Sequence, residues 1–124
     1  MNKTILILGS LFGLLTVAMG AFGAHAFEEL LQNNGRVDTF ETAVKYQAMH
    51  AVVLLFLGML MDKLDSKLLR YAAWFMVVGI VIFSGSLYIL SLANLPIMGA
   101  ITPIGGMCFI VGWVLLLLQF TKLK

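Results

Sequence analysis

The longest uncharged stretch of this sequence lies between Arg70 and Lys122. A helix that crosses a bilayer needs about 20 apolar residues, so this stretch is too long for one crossing and suits two. The segment Ala93-Asn94-Leu95-Pro96 divides it, because Asn and Pro favour turns. The chain is therefore predicted to fold within a lipid bilayer, where every polar side chain inside a span is costly.

The composition supports a membrane location. Hydrophobic residues make up 61% of the 124 residues and charged residues 11%, against about 45–50% and about 25% in soluble domains. A chain of this length is typical of one domain. The net charge of +2 without a basic cluster argues against a nucleic acid partner. The lone Cys108 excludes an internal disulfide and a cysteine-based zinc site.

The fold class predicted is an all-α, integral membrane four-helix bundle that forms a single transmembrane domain over residues 1–124. Its spans cover about residues 5–26, 43–61, 68–92 and 103–120. A cleaved signal peptide is the alternative for the first span, since Ala24-His25-Ala26 fits a cleavage site. The apolar run is longer than the usual apolar region of about 7–15 residues, so a retained helix is favoured.

The long polar connection after the first span contains two helix boundaries. Asn33-Asn34-Gly35 is expected to end a helical continuation of the first span, because Asn and Gly accept the left-handed conformation. Asp38 is expected to cap the second span, with Glu41 three residues later in a box-like pattern. A helical extension beyond the membrane surface is therefore predicted here.

The later connections are shorter. Asp65 or Ser66 is expected to cap the third helix. Thr102 is expected to cap the fourth helix, since Pro103 suits the first helical position. The apolar segment 95–101 is then predicted to be a loop, which protein or the headgroup zone must cover because bare backbone is not tolerated in hydrocarbon.

Lysine and arginine residues are unequally divided between the two sides of a four-span chain. The side with both termini holds six of them: Lys3, Lys63, Lys67, Arg70, Lys122 and Lys124. The other side holds Arg36 and Lys45. Because cytoplasmic segments carry the excess of these residues, both termini are predicted to be cytoplasmic, and the long acidic connection faces outward.

Polar side chains within the spans collect in the outer half. Spacing places Tyr46 and His50 on one helix face, and polar groups in hydrocarbon should turn inward toward each other. The predicted polar cluster consists of His25, Tyr46, Gln47, His50, Ser84, Tyr88 and Thr102. Two interpretations remain open: a structural hydrogen-bond network, or an outward-facing pocket that binds a ligand or a partner side chain.

Glycines form a second pattern, because small residues let membrane helices approach closely. The residues predicted to pack helices together are Gly9, Gly13, Gly20, Gly23, Gly85, Gly105 and Gly106. The pair Gly105-Gly106, just after Pro103, has an alternative interpretation, in which it admits a ligand or a neighbouring backbone.

The sequence resembles an uncharacterised family of small four-span membrane proteins that is widespread in bacteria. The matching segments, in order, are GAFGAHA at 20–26, YQAMHA at 46–51, FSGSLY at 83–88, ITPIGG at 101–106 and GW at 112–113. The resemblance covers all four spans. It implies a multi-pass protein of the bacterial plasma membrane with no assigned activity, and it supplies no catalytic residue.

The sequence leaves two functional hypotheses open. The first is a non-enzymatic membrane component that forms a homo-oligomer or joins a larger membrane complex. The second is a protein that binds or transports a small amphiphile such as a lipid or quinone. Bis-histidine haem ligation by His25 and His50 is disfavoured by their different depths, and no Asp or Glu lies within a span to drive a multidrug pump. No cofactor, metal site or catalytic residue is predicted.

Overall fold

A computed structural model describes residues 2–124. This part of the chain contains no strand. Its helices are α1 (Lys3–Ala24), α2 (Glu28–Asn34), α3 (Val37–Leu60), α4 (Lys67–Gly79), a π-helical turn (Ile80–Ser84), α5 (Gly85–Ala93) and α6 (Met98–Thr121). Helix α4, the π turn and α5 run on as one span, Lys67–Ala93, which we call the third span. With α1, α3 and α6 it makes four helices long and apolar enough to cross a membrane, which confirms the predicted fold class.

The four spans pack in a row rather than a closed square. Helix α1 packs along α3, α3 packs on the third span, and the third span packs on α6. The main apolar core lies between α3, the third span and α6, where Leu54, Met76 and Phe109 are buried. The short helix α2 covers the opposite end from the chain termini and contacts α3 and α5. We call this end of the bundle the α2 end.

The connection after α1 is partly as predicted. Helix α1 stops at Ala24, and α2 is a separate helix that ends at Gly35, whose φ of +64° is left-handed; this confirms the predicted stop at Asn33-Asn34-Gly35. The predicted cap at Asp38 is wrong. Helix α3 begins one residue earlier, at Val37, and Asp38 lies in its first turn without a capping bond. Because Asp38 lies in the first turn, its carboxylate still interacts favourably with the positive end of the helix dipole.

The two later helix starts differ in outcome. The Ser66 hydroxyl accepts a hydrogen bond from the Leu68 amide at 3.2 Å, which confirms Ser66 as a cap. The predicted cap at Thr102 is wrong, because α6 already begins at Met98. Asn94 ends the third span in a left-handed conformation, with φ of 50°, and a short turn leads directly into α6. Pro103 therefore lies inside the helix.

The sequence patterns did not predict the π turn. Within it the helix widens, and the amide of Gly85 bonds to the carbonyl of Ile80, five residues earlier. Helix α6 approaches this turn through Gly105: a Cβ added there would lie 2.7 Å from the Cα of Phe83. Only glycine allows two backbones to come this close, so Gly105 sets the distance between α6 and the third span.

Other predicted packing glycines lie along α1. Gly9 is buried, and a Cβ there would lie 3.1 Å from the backbone nitrogen of Leu55. Gly20 faces Val44 at 3.7 Å, and Gly23 lies beneath the ring of Phe40. Gly9 and Gly23 therefore hold α1 against α3, as predicted, whereas Gly20 makes only an ordinary contact.

The prediction fails for two glycines and is weak for a third. A Cβ added at Gly13 or at Gly85 would meet nothing within 4 Å, and one at Gly106 would reach Phe83 only at 3.9 Å. Gly58, which the predictions omitted, packs tightly, since a Cβ there would lie 2.7 Å from the Leu6 side chain. Spacing alone cannot tell which glycines face a neighbouring helix.

Candidate functional site

Gln47 and Tyr88 form the centre of the polar contacts between spans. The Tyr88 hydroxyl donates to Oε1 of Gln47 at 2.7 Å. Nε2 of Gln47 donates to the backbone carbonyl of Phe12 at 3.0 Å. Gln47 is only 3% exposed, so these bonds are shielded from solvent and lipid. One side chain thus connects α1, α3 and the third span.

Ser84 makes a second connection on the same side of α3. Its hydroxyl donates to the backbone carbonyl of Ala43 at 2.8 Å, and both residues are buried. Ser84 closes the π turn, so the turn places this hydroxyl against α3. Near the α2 end, the side-chain amide of Asn34 donates to the backbone carbonyl of Ser91 at 2.9 Å. This bond attaches α2 to α5.

His50 points away from this group and toward α6. Its Nδ1 lies 2.7 Å from the carbonyl of Tyr46, and carbonyls only accept, so Nδ1 carries a proton. Its Nε2 accepts a hydrogen bond from the indole nitrogen of Trp113 at 3.1 Å. Both contacts are satisfied by one neutral tautomer. The imidazole also stacks on Phe109, with ring centroids 3.7 Å apart, and is 1% exposed.

Tyr46 and Thr102 each contact a different part of the third span. Tyr46 is 40% exposed, and its ring packs against Phe83 with a centroid distance of 4.6 Å. The Thr102 hydroxyl lies 2.6 Å from the hydroxyl of Ser86, which links α6 to α5. Neither residue contacts the Gln47–Tyr88 pair through a hydrogen bond.

His25 is not part of any of these groups. It follows the last residue of α1, is exposed, and its ring makes no hydrogen bond to the rest of residues 2–124. The expectation that it reaches the other polar residues is wrong, because α1 ends at Ala24 and the chain turns outward. Within the same residues, no group of three or more His, Cys, Asp or Glu side chains is close enough to hold a metal ion.

The predicted polar cluster is therefore several separate contacts rather than one. Gln47, Ser84 and Tyr88 come together between α1, α3 and the third span, whereas His50 turns to α6 and Thr102 to α5. In residues 2–124 every buried side-chain nitrogen or oxygen has a hydrogen-bond partner. Because no buried polar atom there lacks a partner, the interpretation as a structural network is favoured.

We expect Tyr88→Phe and Gln47→Leu each to lower the stability of the protein in detergent. Each removes a bond between helices that is worth about 0.6 kcal/mol and up to about 1.7 kcal/mol. Because the two residues are partners, the double variant should lose less than the sum of the single losses. Thermal unfolding of the four proteins measures this, with Tyr71→Phe, an exposed tyrosine of the same span, as the control. Additive losses would contradict the pairing.

The structure also has a cavity that the sequence did not predict. A groove of about 290 Å³ follows the contact between α1 and α3 on its outer surface. We call it the seam groove, and it is lined by Gly9, Ser10, Gly13, Thr16, Ala48, Ala51, Val52 and Leu55. Gly13 opens onto it, which explains why a Cβ there meets no atom.

A second cavity of about 340 Å³ lies between α1, α2 and α3, nearer the α2 end. We call it the α2-end cleft, and it is lined by Gly20, Gly23, Ala24, Leu31, Val37, Phe40, Glu41, Val44 and Lys45. Glu41 and Lys45 were not among the predicted site residues. Their separation of four residues, which puts both on one helix face, is the sequence signal that marks them.

A third cavity, of about 290 Å³, lies on the reverse side of α3 and is called the reverse cleft. It separates α1 from the third span and is lined by Phe12, Leu15, Met19, Gln47, Ile80, Val81, Ser84, Gly85 and Tyr88. Gly85 opens onto this cleft as Gly13 opens onto the seam groove. The two glycines thus mark opposite sides of the α1–α3 pair.

Comparison with known proteins gives relatives along the whole chain. A family model described as a protein of unknown function (DUF423) matches residues 19–106. UPF0382 membrane protein YwdK of Bacillus subtilis is 42% identical, covering 97% of this chain and 98% of its own length. A UPF0382 membrane protein of Staphylococcus epidermidis is 43% identical over 97% of both chains.

UPF0382 inner membrane protein YgdD of Escherichia coli is 36% identical, covering 99% of this chain and 93% of its own length. No solved structure matches the chain. These relatives confirm the resemblance to an uncharacterised bacterial family, and with the four apolar helices they confirm a multi-pass membrane location. The chain belongs to the DUF423 family of membrane proteins, whose relatives here carry the name UPF0382.

Proposed function

We propose that this protein is a non-enzymatic membrane component that associates with a second copy of itself through the seam groove. The observation that carries the proposal is the position of Gly13, which faces open space on the lipid-facing side of the α1–α3 pair. Small residues at such positions let a second membrane helix approach closely. Helix α1 of another copy is the proposed occupant.

The surroundings of the groove suit a helix. Gly9 and Gly13 form a small-xxx-small pair on α1, and Ala48 and Ala51 provide small residues on α3. The apolar side chains of Val52 (67% exposed) and Leu55 line the groove. They would pack against a partner helix once it fills the space. A groove that contributes small residues from its own α1 also suits the self-complementary interface of a symmetric dimer.

The absence of catalysis is part of the proposal, and the hydrogen bonds support it. In residues 2–124 every buried side-chain nitrogen or oxygen has a hydrogen-bond partner, as in the Gln47–Tyr88 pair. Both ring nitrogens of His50 are engaged. A general base or a metal ligand needs a free lone pair aimed at substrate or metal, which this arrangement does not offer.

The orientation of the protein completes the proposal. Six of the eight Lys and Arg residues lie on the side of both termini, and cytoplasmic segments carry this excess. The α2 end then faces the outside of the cell. Two copies joined at the seam groove would share this orientation. The interface between them would run along the membrane normal.

We expect Gly13→Leu to weaken self-association by about tenfold, which corresponds to about 1.4 kcal/mol. A Cβ at Gly13 meets nothing within 4 Å and the position opens onto the groove, so the added side chain would point into the groove. Energy transfer between labelled copies in liposomes, measured over a range of protein-to-lipid ratios, reports the association.

Gly85→Leu is the matched control, because it adds the same side chain at an equally open position on the reverse side of α3. It should associate like the unmodified protein. A protein that stays monomeric at every ratio, or a Gly85→Leu variant as weakened as Gly13→Leu, would refute the proposed interface. Cross-links from the groove to a different membrane protein in native membranes would show instead that the groove binds a partner in a larger complex.

A further inference from the structure

We infer that the α2-end cleft binds the headgroup of a zwitterionic phospholipid, with the lipid phosphate at Lys45 and the lipid ammonium group at Glu41. This inference does not depend on the proposed self-association. It rests on the depth of the two charged residues, on their lack of partners and on the shape of the cleft beside them.

The depth of the cleft matches the lipid headgroup region. Helix α3 has 24 residues, a length of about 36 Å at 1.5 Å per residue, whereas the hydrocarbon core is about 30 Å thick. With Leu60 at one boundary of the hydrocarbon, the other boundary falls near Glu41. Lys45 then lies one helical turn deeper, about 6 Å inside, and its long side chain can extend back to the headgroup level.

The two charges have no partner within the protein. Glu41 and Lys45 are both exposed, and within residues 2–124 neither side chain makes a hydrogen bond or an ion pair. The two are four residues apart, yet they do not pair with each other. A charge near the hydrocarbon boundary is costly unless it reaches a counter-charge, so an occupant with both signs would stabilise this arrangement.

The shape of the cleft suits a small headgroup with its chains directed along the protein. Gly20, Gly23 and Ala24 leave space on the α1 side, and the buried side chains of Leu31 and Phe40 form an apolar wall. The volume of about 340 Å³ is at the lower end of the range for ligand pockets, about 300–1,000 Å³. The acyl chains of a lipid held there would extend along the bundle into the surrounding bilayer.

The sign of the charges selects the class of lipid. An anionic lipid would be attracted by Lys45 and repelled by Glu41, whereas a lipid with a phosphate and a primary ammonium group can satisfy both. The ammonium group also donates hydrogen bonds to a carboxylate. Phosphatidylethanolamine is therefore the expected ligand in preference to phosphatidylglycerol.

Native mass spectrometry of the full-length protein in detergent, with phosphatidylethanolamine and phosphatidylglycerol of identical acyl chains, tests the inference. The unmodified protein should retain phosphatidylethanolamine preferentially. Lys45→Gln should reduce that retention by about fivefold, the effect of removing one lysine that attracts a lipid phosphate near a membrane surface. Glu41→Gln should reverse the preference toward phosphatidylglycerol, because the repelling carboxylate is gone.

Two controls separate this inference from the other proposal. Lys122→Gln, at the end of the bundle opposite the cleft, should leave the lipid preference unchanged. Gly13→Leu should weaken self-association without changing headgroup preference. Equal retention of both lipids by the unmodified protein, or unchanged retention in both Lys45→Gln and Glu41→Gln, would overturn the inference.

Discussion

Gly105→Ala is expected to destabilise the protein by about 2–3 kcal/mol, the upper part of the usual cost of overpacking a well-packed site. The added methyl group would meet the backbone of the π turn, with the Cα of Phe83 at 2.7 Å. Backbone cannot move aside as the end of a flexible side chain can, so α6 has to shift as a whole. This cost exceeds the gain of about 0.5–1 kcal/mol that Gly→Ala brings inside a helix.

Gly106→Ala is the matched control for this prediction, because it is the same substitution one residue later in the same helix. The nearest atom to its added Cβ would be 3.9 Å away, an ordinary contact. It should therefore be neutral or slightly stabilising. Reversible unfolding of both variants in mixed micelles measures the free energies. Equal stability of the two variants would show that α6 does not approach the π turn as closely as described.

His50→Leu is expected to destabilise the protein by about 2–3 kcal/mol, whereas His25→Leu should change stability by less than about 0.5 kcal/mol, as exposed substitutions usually do. Removing the imidazole leaves the indole N–H of Trp113 without its acceptor. Trp113 lies within a span, where no water replaces the lost acceptor, so the cost is about 1–3 kcal/mol. The ring stacked on Phe109 at 3.7 Å is lost as well. His25 is exposed and its ring has no such contacts.

Thermal unfolding in detergent compares the two histidine variants, and the chemical shift of the Trp113 indole proton reports the bond directly. Trp113→Phe supplies a second check, because it removes the indole N–H that His50→Leu leaves without an acceptor. The variant with both His50→Leu and Trp113→Phe should therefore be less destabilised than the sum of the two. Equal unfolding temperatures for His50→Leu and His25→Leu would contradict the buried position of His50.

Several features of the protein could be predicted because they depend on residues close together in the sequence. The uncharged stretch from Arg70 to Lys122 required two spans, and the stops at Gly35 and the cap at Ser66 follow from local backbone preferences. The start of α6 was misplaced for a related reason: Thr102 and Pro103 resemble a helix start, but the turn after Asn94 already begins the helix. A local signal is ambiguous when two possible starts lie within two turns of each other.

The partners of the polar residues depend on tertiary structure. Helical spacing put Tyr46 and His50 on one side of α3, and it correctly indicated that Gln47 and Tyr88 face inward. It could not show that His50 bonds to Trp113, because this bond joins α3 to α6 through residues 63 positions apart. The π turn also depends on tertiary structure. It lies where Gly105 of α6 approaches the third span, and no local sequence pattern marks it.

The membrane location and the four helices follow from local sequence, because long uncharged apolar segments are unfavourable in water wherever they pack. Which small residues hold helices together and which open onto grooves depends instead on how the helices pack. Gly9 and Gly13 are equivalent in the sequence, yet one touches the backbone of α3 and the other faces empty space. The difference arises because the angle at which α1 crosses α3 is fixed by all their contacts together.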